Sequence, residues 1–495
     1  MSQHSGATSA TADAGSATLF NAGGLITAQN VSIGGAVQNT DGVISGQNAV
    51  SMNTRTLNND AGVIESGIGG ITINTQGNTL INTSSGSTRG IVSQGGIGIA
   101  AGDIHNQGGY IGASGGLNVT QSSNVYNQSG TLLGLGNSAV ATSGTLDNQG
   151  GRILSGADLA IQAGTLNNSG AGSTVFAAGN LGINATTVNN ANTQNGLYTT
   201  GLLAGGNLGI HAATLNNSAG AIVALGDTTL TASTSINNSQ GQIAGDKVSI
   251  DTPEFINTAG RADAQTSMRL KAPRFSADGV IASNGSLALE LTGDYTNTGT
   301  LSANSDLEIS TTGNFSNQGE VSAKRSLTLS AHDLDNAAGA TVHAQSTTLN
   351  LGGTLNNAGL INASAGQTRI TATTLNNTGR IYGDGVSITA DSTANSANAA
   401  IASRAGDVNI TGALSNSAGA QVFSLGNIPY MVDRMMTIIF FDTGVLPEYF
   451  IVIDIVAINL LLLSHSCYIF VYFRYNKLYR EIFLQHVNKI PGLKF

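Results

Sequence analysis

The chain has 495 residues, with 66 Gly, 5 Pro, 1 Cys and no Trp, and only 9% of its residues are charged. Its hydrophobic fraction is 40%, which excludes disorder of the kind that combines low hydrophobicity with high net charge. The formal net charge is −9 and the sequence has no basic stripe, so nucleic acid is not an expected partner.

Residues 1–17 contain no charged segment followed by an apolar one, so we predict no signal peptide there. We expect this segment to be disordered or to form an incomplete first coil. A repeat then begins at about residue 18 and continues to residue 427.

Each repeat reads apolar residue, any residue, Asn, a short turn with Gly, and then alternating apolar residues, as in TLNNAGLINA at 354–363. The Asn recurs about every 21 residues, a period typical of solenoid repeats. It is found at Asn39, Asn59, Asn82, Asn106, Asn127, Asn148, Asn168, Asn190, Asn217, Asn238, Asn257, Asn297, Asn317, Asn336, Asn357, Asn377, Asn398 and Asn416, while Ala277 fills one expected position.

Apolar residues alternate with polar ones inside each repeat, as at Leu349 and Leu351 or Val386 and Ile388. Alternation at every second residue indicates half-buried strands rather than helices. A single repeat cannot bury its apolar face, but stacked repeats can, and their backbone groups then pair from coil to coil. The sequence therefore predicts an all-β fold, a parallel β-helix solenoid with coils about 4.8 Å apart.

The recurrent Asn has a structural role in this fold, because stacked amides can donate to and accept from one another. We predict such a structural ladder at Asn297, Asn317, Asn336, Asn357 and Asn377. The glycines that follow the Asn are predicted to occupy turn positions with positive φ. They include Gly220, Gly319, Gly359 and Gly379.

Two segments depart from the regular pattern. The coil between Asn190 and Asn217 is longer than the others, so we expect a loop on one face. Residues 246–308 carry more charge, with Arg269, Lys271 and Arg274 close together. These cations belong either to a solvated face or to a weak contact patch for an anionic polymer.

The repeat stops at residue 427, and residues 428–495 form a hydrophobic tail. Residues 450–473 are long and apolar enough for a transmembrane helix, and Arg474, Lys477 and Arg480 follow them. Three hypotheses remain open for the tail. In the first, a frameshift or fusion added a tail that does not belong to the repeat protein. In the second, the tail is a genuine membrane segment. In the third, it is an effector or translocation module.

The sequence contains no recognisable motif for catalysis or cofactor binding. The seven histidines have no metal-ligand spacing, and acidic residues are scattered rather than clustered. Those histidines are His4, His105, His211, His332, His343, His465 and His486. Cys467 lies in the apolar tail without an organised Cys–His–Asp set, and a buried inert thiol is expected. We therefore predict no catalytic residue, no cofactor and no metal.

The repeat resembles the haemagglutinin-type repeats of filamentous haemagglutinins, which are exoproteins of bacterial two-partner secretion that include contact-dependent growth-inhibition exoproteins. The matching phrase is L-x-N-x-x-G-x-I-x-A, seen from Leu355 to Ala363 and from Leu375 to Ile381. The resemblance covers residues 18–427. It implies a right-handed β-helical stalk, secreted or displayed at the outer surface of a Gram-negative bacterium through an outer-membrane transporter.

The leading functional hypothesis is an adhesin-like stalk that contacts glycans or proteins on host or bacterial cells. The first alternative is a fragment of a contact-dependent growth-inhibition toxin exoprotein. The second is a polysaccharide-cleaving β-helix enzyme, which would need at least three ionisable side chains converging in one groove. In each case the chain is expected to be part of a larger exoprotein, with membrane contact only through the tail.

Overall fold

The computed structural model describes residues 8–86, 88–197, 199–276, 278–426 and 430–431. These residues belong to the first of two units, which spans 1–434. They form β-strands and turns, with no helix in the described part.

The first sixteen strands, in chain order, are β1 (Ser9–Phe20), β2 (Leu25–Gln38), β3 (Val43–Asn58), β4 (Val63–Ser66), β5 (Ile71–Asn74), β6 (Leu80–Ile81), β7 (Ile91–Ser93), β8 (Ile97–Ala100), β9 (Asp103–His105), β10 (Tyr110–Ala113), β11 (Leu117–Ser122), β12 (Asn124–Tyr126), β13 (Thr131–Gly134), β14 (Ser138–Thr142), β15 (Thr145–Asp147) and β16 (Arg152–Ser155).

The next sixteen are β17 (Leu159–Asn167), β18 (Thr174–Ala177), β19 (Leu181–Asn189), β20 (Gly201–Ala204), β21 (Leu208–Asn216), β22 (Ala221–Ala224), β23 (Thr228–Asn237), β24 (Gln242–Asp251), β25 (Glu254–Ile256), β26 (Arg261–Lys271), β27 (Arg274–Ser276), β28 (Val280–Ser283), β29 (Ser286–Glu290), β30 (Tyr295–Asn297), β31 (Thr300–Ala303) and β32 (Leu307–Ser310).

The last sixteen are β33 (Phe315–Asn317), β34 (Glu320–Ala323), β35 (Ser326–Ala331), β36 (Leu334–Asn336), β37 (Thr341–Ala344), β38 (Ser346–Leu351), β39 (Thr354–Asn357), β40 (Leu360–Ala363), β41 (Gln367–Thr371), β42 (Thr374–Asn377), β43 (Arg380–Gly383), β44 (Gly385–Asn395), β45 (Ala400–Ser403), β46 (Val408–Asn416), β47 (Gln421–Ser424) and β48 (Tyr430–Met431).

One coil contains three strand segments, which stack on the same segments of the next coil. In the coil that begins at β16, Ile153 pairs with Val175, Leu159 with Leu181 and Leu166 with Val188. We name the faces formed by these three segments face A, face B and face C, in that order. The pairings are parallel and the described residues make about 21 turns, so the predicted parallel β-solenoid is confirmed.

The core lies inside the coils and is built from stacked aliphatic columns. On face A, Ile153, Val175, Leu202 and Ile222 follow one another, each with at most 1% of its surface exposed. Their strand neighbours point outward, because successive side chains of a strand alternate between the two faces of a sheet. The alternation of apolar and polar residues in the sequence thus corresponds to alternate inward and outward side chains. The inward ones stack into buried aliphatic columns and the outward ones into columns on the surface.

The four glycines predicted to need positive φ do not have it, and that prediction is wrong. Their φ values lie outside the left-handed region. In the turn after Asn217, the preceding residue, Ala219, has the positive φ, at 48°. Gly220 itself lies against the previous coil, where a Cβ would be 2.2 Å from the Asn190 carbonyl oxygen. This position therefore excludes a side chain because of close approach between coils and not because of its backbone conformation.

The same close approach recurs at the other predicted glycines. A Cβ would be 2.2 Å from the Gly299 oxygen at Gly319 and 2.2 Å from the Gly359 oxygen at Gly379. At Gly359 the corresponding contact is 2.4 Å, to the Ala337 oxygen. Glycine at this turn thus lets each coil approach its neighbour at the strand-to-strand spacing that the backbone hydrogen bonds require.

The long coil places its extra residues at one corner. Residues 191–200 lie between Asn190 and β20, and Leu197 in this segment is 78% exposed. No helix able to cross a membrane occurs among the described residues. Of the hydrophobic tail, the structure describes only β48, which pairs with β46 through Ile410 and Tyr430. The predicted helix at 450–473 lies outside the described residues.

We predict that Gly220→Ala destabilises the solenoid, because the new Cβ would meet both the Asn190 oxygen and, at 2.5 Å, the Asn217 Oδ1. The expected loss is about 1–3 kcal/mol, as for an overpacked interior site. Urea unfolding measures it, and Gly182→Ala is the matched control, since a Cβ there meets no atom within 4 Å. Equal unfolding midpoints for the two variants would contradict the close-approach argument.

Candidate functional site

The turn between face C and face A contains a column of asparagine side chains, which we call the inner ladder. In each step, Nδ2 of one Asn donates a hydrogen bond to Oδ1 of the Asn in the next coil, at 2.6–2.9 Å. The direction of donation is the same in every step, towards the C-terminus.

Most amides in the inner ladder also donate to backbone oxygens. Asn217 Nδ2, for example, lies 3.3 Å from the Gly220 oxygen and 3.1 Å from the Gln242 oxygen. Asn217 is fully buried, as are most of its counterparts. A buried amide with its hydrogen bonds made inside the chain has little capacity left for a ligand, so the inner ladder has a structural role.

The five predicted ladder residues lie in consecutive coils. Their four connecting hydrogen bonds, from Asn297 through Asn317, Asn336 and Asn357 to Asn377, are 2.8, 2.9, 2.7 and 2.8 Å long. Each residue is at most 1% exposed.

Two positions of the ladder differ from the sequence expectation. Asn398 was expected after Asn377, but the structure places Asn395 there, with a 2.8 Å hydrogen bond from Asn377 Nδ2. Asn398 instead has a φ of 67° in the following turn. Thr393 occupies the position paired with Leu375, so the apolar signal that marks the other repeats is missing. Asn21 begins the ladder, by donating to Asn39, and the sequence analysis did not include it.

The inner ladder is interrupted between Asn257 and Asn297. In the sequence Ala277 holds the intervening position, which lies outside the described residues. Asn297 Oδ1 is buried and has no hydrogen-bond partner in the described structure, and neither has the hydroxyl of Tyr295. Burial raises the pKa of that Tyr295 hydroxyl above its ordinary value.

Aromatic stacking spans the same coils. Phe255, Phe275, Tyr295 and Phe315 form a column on face C, two residues before the ladder position. Phe255, Tyr295 and Phe315 are buried and Phe275 is half-buried. Their successive ring centroids are 5.6, 5.1 and 5.2 Å apart. The first two pairs are stacked, and Tyr295 and Phe315 are tilted by 53°. Rings in either arrangement at such distances attract beyond the effect of burial alone, by about 0.5–1.5 kcal/mol per pair. The aromatic column therefore joins the coils where the amide column is incomplete.

A second amide column, the outer ladder, faces solvent on face C. Asn237 donates to Asn216, Asn216 to Asn189 and Asn189 to Asn167, at 3.5, 3.2 and 3.1 Å. Asn167 in turn donates to the carboxylate of Asp147 at 3.1 Å. The donation runs towards the N-terminus, opposite to the inner ladder. The row ends on a carboxylate, which can only accept, because each amide donates to the residue in the preceding coil.

The three clustered cations of the charged segment are paired between coils. Arg269 lies 2.7 Å from Glu290, Lys271 lies 3.2 Å from Asp251 and Arg274 lies 3.5 Å from Glu254. These side chains are 38–70% exposed, so each pair contributes little to stability. Their pairing favours the solvated-face hypothesis over a patch for an anionic polymer.

The histidines within the described residues lie on separate coils. His105 stacks on Tyr126 with a centroid distance of 4.9 Å, and His332 Nδ1 lies 3.2 Å from Asp333. No group of three or more His, Cys, Asp or Glu that could hold a metal occurs in the described part. His4, His465, His486 and Cys467 lie outside it.

Face B contains a shallow groove of about 530 Å³ on its outer surface. Its floor follows one outward column, in which Ala139, Ala160, Gly182 and Gly209 pair in consecutive coils. The next outward column borders the floor with Gln162, Asn184, His211 and Thr231, also in consecutive coils. The groove arises because the floor residues have small side chains or none.

Comparison with known families gives one match. A family model described as Haemagglutinin repeat matches residues 77–150, 113–175, 168–203, 176–272, 257–319, 317–379 and 363–422. These overlapping segments cover most of the described solenoid. No curated protein and no solved structure matches the chain.

We predict that Asn357→Ala destabilises the solenoid far more than Asn356→Ala. The first change leaves Asn336 Nδ2 and Asn377 Oδ1 without their ladder partner in a buried site, at a cost of about 1–3 kcal/mol for each unsatisfied group. Asn356 is exposed and bonds only along the surface. Urea unfolding of both variants tests this, and similar losses would contradict a special role for the buried amide.

We predict that Ala277→Asn stabilises the solenoid, because the period of the Asn repeat assigns position 277 to the ladder, where an amide would offer a donor to the unpaired Asn297 Oδ1. The expected gain is about 1 kcal/mol, the net value of one intramolecular hydrogen bond. A double-mutant cycle provides the control, since the gain should vanish in an Asn297→Ala background. A gain that persists in that background would have another origin.

Proposed function

Because the chain belongs to the haemagglutinin-repeat family, we propose that it is an adhesive stalk, secreted or displayed at the bacterial cell surface, that contacts glycans or proteins of host or bacterial cells. The family is one of secreted or cell-surface proteins linked to two-partner secretion and adhesion. Export through an outer-membrane transporter is part of the proposal, as is the division into residues 1–17, a solenoid at 18–427 and a tail at 428–495.

The observation that carries the proposal is the separation of the solenoid into an invariant interior and a variable exterior. The buried amides bond to one another in the inner ladder, and the buried aliphatic side chains pack against one another in the core. What remains for a function is the outward surface of the coils and the loop at 191–200. A regular surface of stacked coils, whose groove on face B is shallow, suits contact with other surfaces better than the enclosure of a small substrate.

Exposed apolar side chains support a contact role for one part of the stalk. Leu135, Phe176, Leu197 and Leu225 are 36–79% exposed and come from nearby coils. The outward positions of face A in these coils are also apolar, with Leu154 paired to Phe176 and Phe176 to Leu203. Contiguous exposed apolar surface of this kind typically marks an interaction site.

The alternative of a polysaccharide-cleaving enzyme has less support. It requires carboxylates that converge in one groove, at the separations used for acid–base or nucleophilic catalysis. In the described residues, acids such as Asp251, Glu254 and Glu290 are instead paired with Lys or Arg of neighbouring coils. A toxin activity of residues 428–495 stays a prediction, because the structure describes only Tyr430–Met431 of that segment.

We predict that beads coated with the full chain adhere to cultured epithelial cells or to bacterial lawns. The physical reason is the multivalent display of one repeated surface, which raises avidity well above single-site affinity. Retention under flow is the measurement. Beads coated with an unrelated β-solenoid of similar net charge are the control, and equal retention of both on every cell type would refute the adhesive function.

A further inference from the structure

The groove on face B is bordered by a row of polar side chains that have no partner among the described residues. In the outer ladder, by contrast, outward amides bond to one another, since Asn189 donates to Asn167 and accepts from Asn216. The row along the groove consists of the side chains of Gln162, Asn184, His211 and Thr231. Four consecutive coils thus present free hydrogen-bonding groups in a row.

The groove is open and linear. Its floor column runs from β14 to β23, which are four coil steps apart, or about 19 Å at the spacing of neighbouring strands. A Cβ on Gly182 or Gly209 would meet no atom within 4 Å, which shows that the space above the floor is unfilled. Its volume of about 530 Å³ is spread along the surface, which leaves room for a chain that lies on the sheet but does not enclose a small ligand.

The charge of the lining restricts the ligand. The groove is lined by Ala, Gly, Val, Ile, Thr, Gln, Asn and His and contains no carboxylate, Lys or Arg. An anionic or cationic polymer would find no countercharge there, whereas a neutral chain would lose no solvated charge on binding. The lining therefore complements a neutral, hydroxyl-bearing molecule with an apolar flank.

The position of the groove argues against protein partners. Strands β17, β19 and β21 are paired on both sides, so an extended peptide would find no free strand edge for main-chain hydrogen bonds. A second copy of the chain is disfavoured as the occupant, because the groove is too small for a stable interface between two copies. A groove one strand wide and about 19 Å long offers far less than the roughly 800 Å² per partner of a stable interface.

We propose that this groove binds a linear, neutral polysaccharide that lies along the solenoid axis. The Ala and Gly floor would contact the apolar C–H face of successive sugars, and the row from Gln162 to Thr231 would bond to their hydroxyls, with one polar side chain for each coil. The coil spacing of about 4.8 Å is comparable to the advance per sugar of an extended β-linked chain. This inference rests on the proposed adhesive function and names the ligand class of one surface of the stalk.

The test uses the full chain and pull-down or biolayer interferometry against cellulose, β-1,3-glucan, mannan and dextran, with heparin and hyaluronan as anionic comparators. The expected result is binding to at least one neutral polysaccharide. The double variant Gly182→Tyr/Gly209→Tyr should weaken it at least tenfold, because the rings would occupy the open space of the groove. Asn184→Ala/His211→Ala should weaken it about fivefold through loss of hydroxyl partners.

Gly98→Tyr is the matched control. Gly98 lies in the same outward column, two coils before Ala139, and a Cβ there also meets no atom within 4 Å. It is not part of the groove, so its variant should bind as the parent does. Thermal unfolding of the control and the groove variants should be alike, which separates blocked binding from misfolding.

The outcomes distinguish the groove from the adhesive function. Binding of anionic polymers alone, of no polysaccharide, or of neutral polysaccharides equally by the groove-filled variant would overturn the groove proposal, even if coated beads still adhere to cells. Groove-dependent binding of a neutral polysaccharide by a chain whose beads adhere to no cell would instead support the groove and refute adhesion.

Discussion

The solenoid depends on one constraint: each coil must satisfy its buried polar groups and cover its apolar groups using only the coils on either side. The inner ladder meets this constraint at the turn between face C and face A, where a side chain has to enter the interior. An amide is suited to the position because it donates and accepts, so that Asn217, for example, both receives from Asn190 and gives to Asn238. The direction of donation is therefore the same along the ladder, because each Asn accepts from the preceding coil and donates to the following one.

The interruption at position 277 shows how far the constraint can be relaxed. Without an amide there in the sequence, Asn297 Oδ1 remains unpaired in the described structure, which is costly for a buried acceptor. The same coils contain a column of four aromatic rings in contact, from Phe255 to Phe315. Large rings bury more apolar area than the Leu, Ile or Val at this position in other coils, and they attract each other directly. Packing energy offsets the missing hydrogen bond.

Function in such a fold is confined to the outward columns, because the inward ones are committed to stacking. The outer ladder, the ion pairs around Arg269 and Lys271 and the groove on face B all use outward positions of otherwise similar coils. These three surface features differ in whether their polar side chains bond to side chains of neighbouring coils. In the outer ladder and the ion pairs the side chains bond to each other, while the row from Gln162 to Thr231 remains available to a ligand.

The sequence by itself determined the fold class, the length of the coil and most members of the inner ladder, including Asn317 and Asn357. It could do so because stacking repeats one chemical requirement about every 21 residues, and a periodic requirement leaves a periodic signal. It led to Asn398 instead of Asn395, because the local apolar marker is absent where Thr393 replaces a leucine, and only coil-to-coil pairing identifies the residue in register. It gave the wrong reason for Gly220, since the carbonyl that approaches that glycine belongs to the previous coil. The groove was likewise decided by tertiary structure alone, because it forms from outward residues roughly one coil apart, whose alignment depends on coil lengths that vary along the chain.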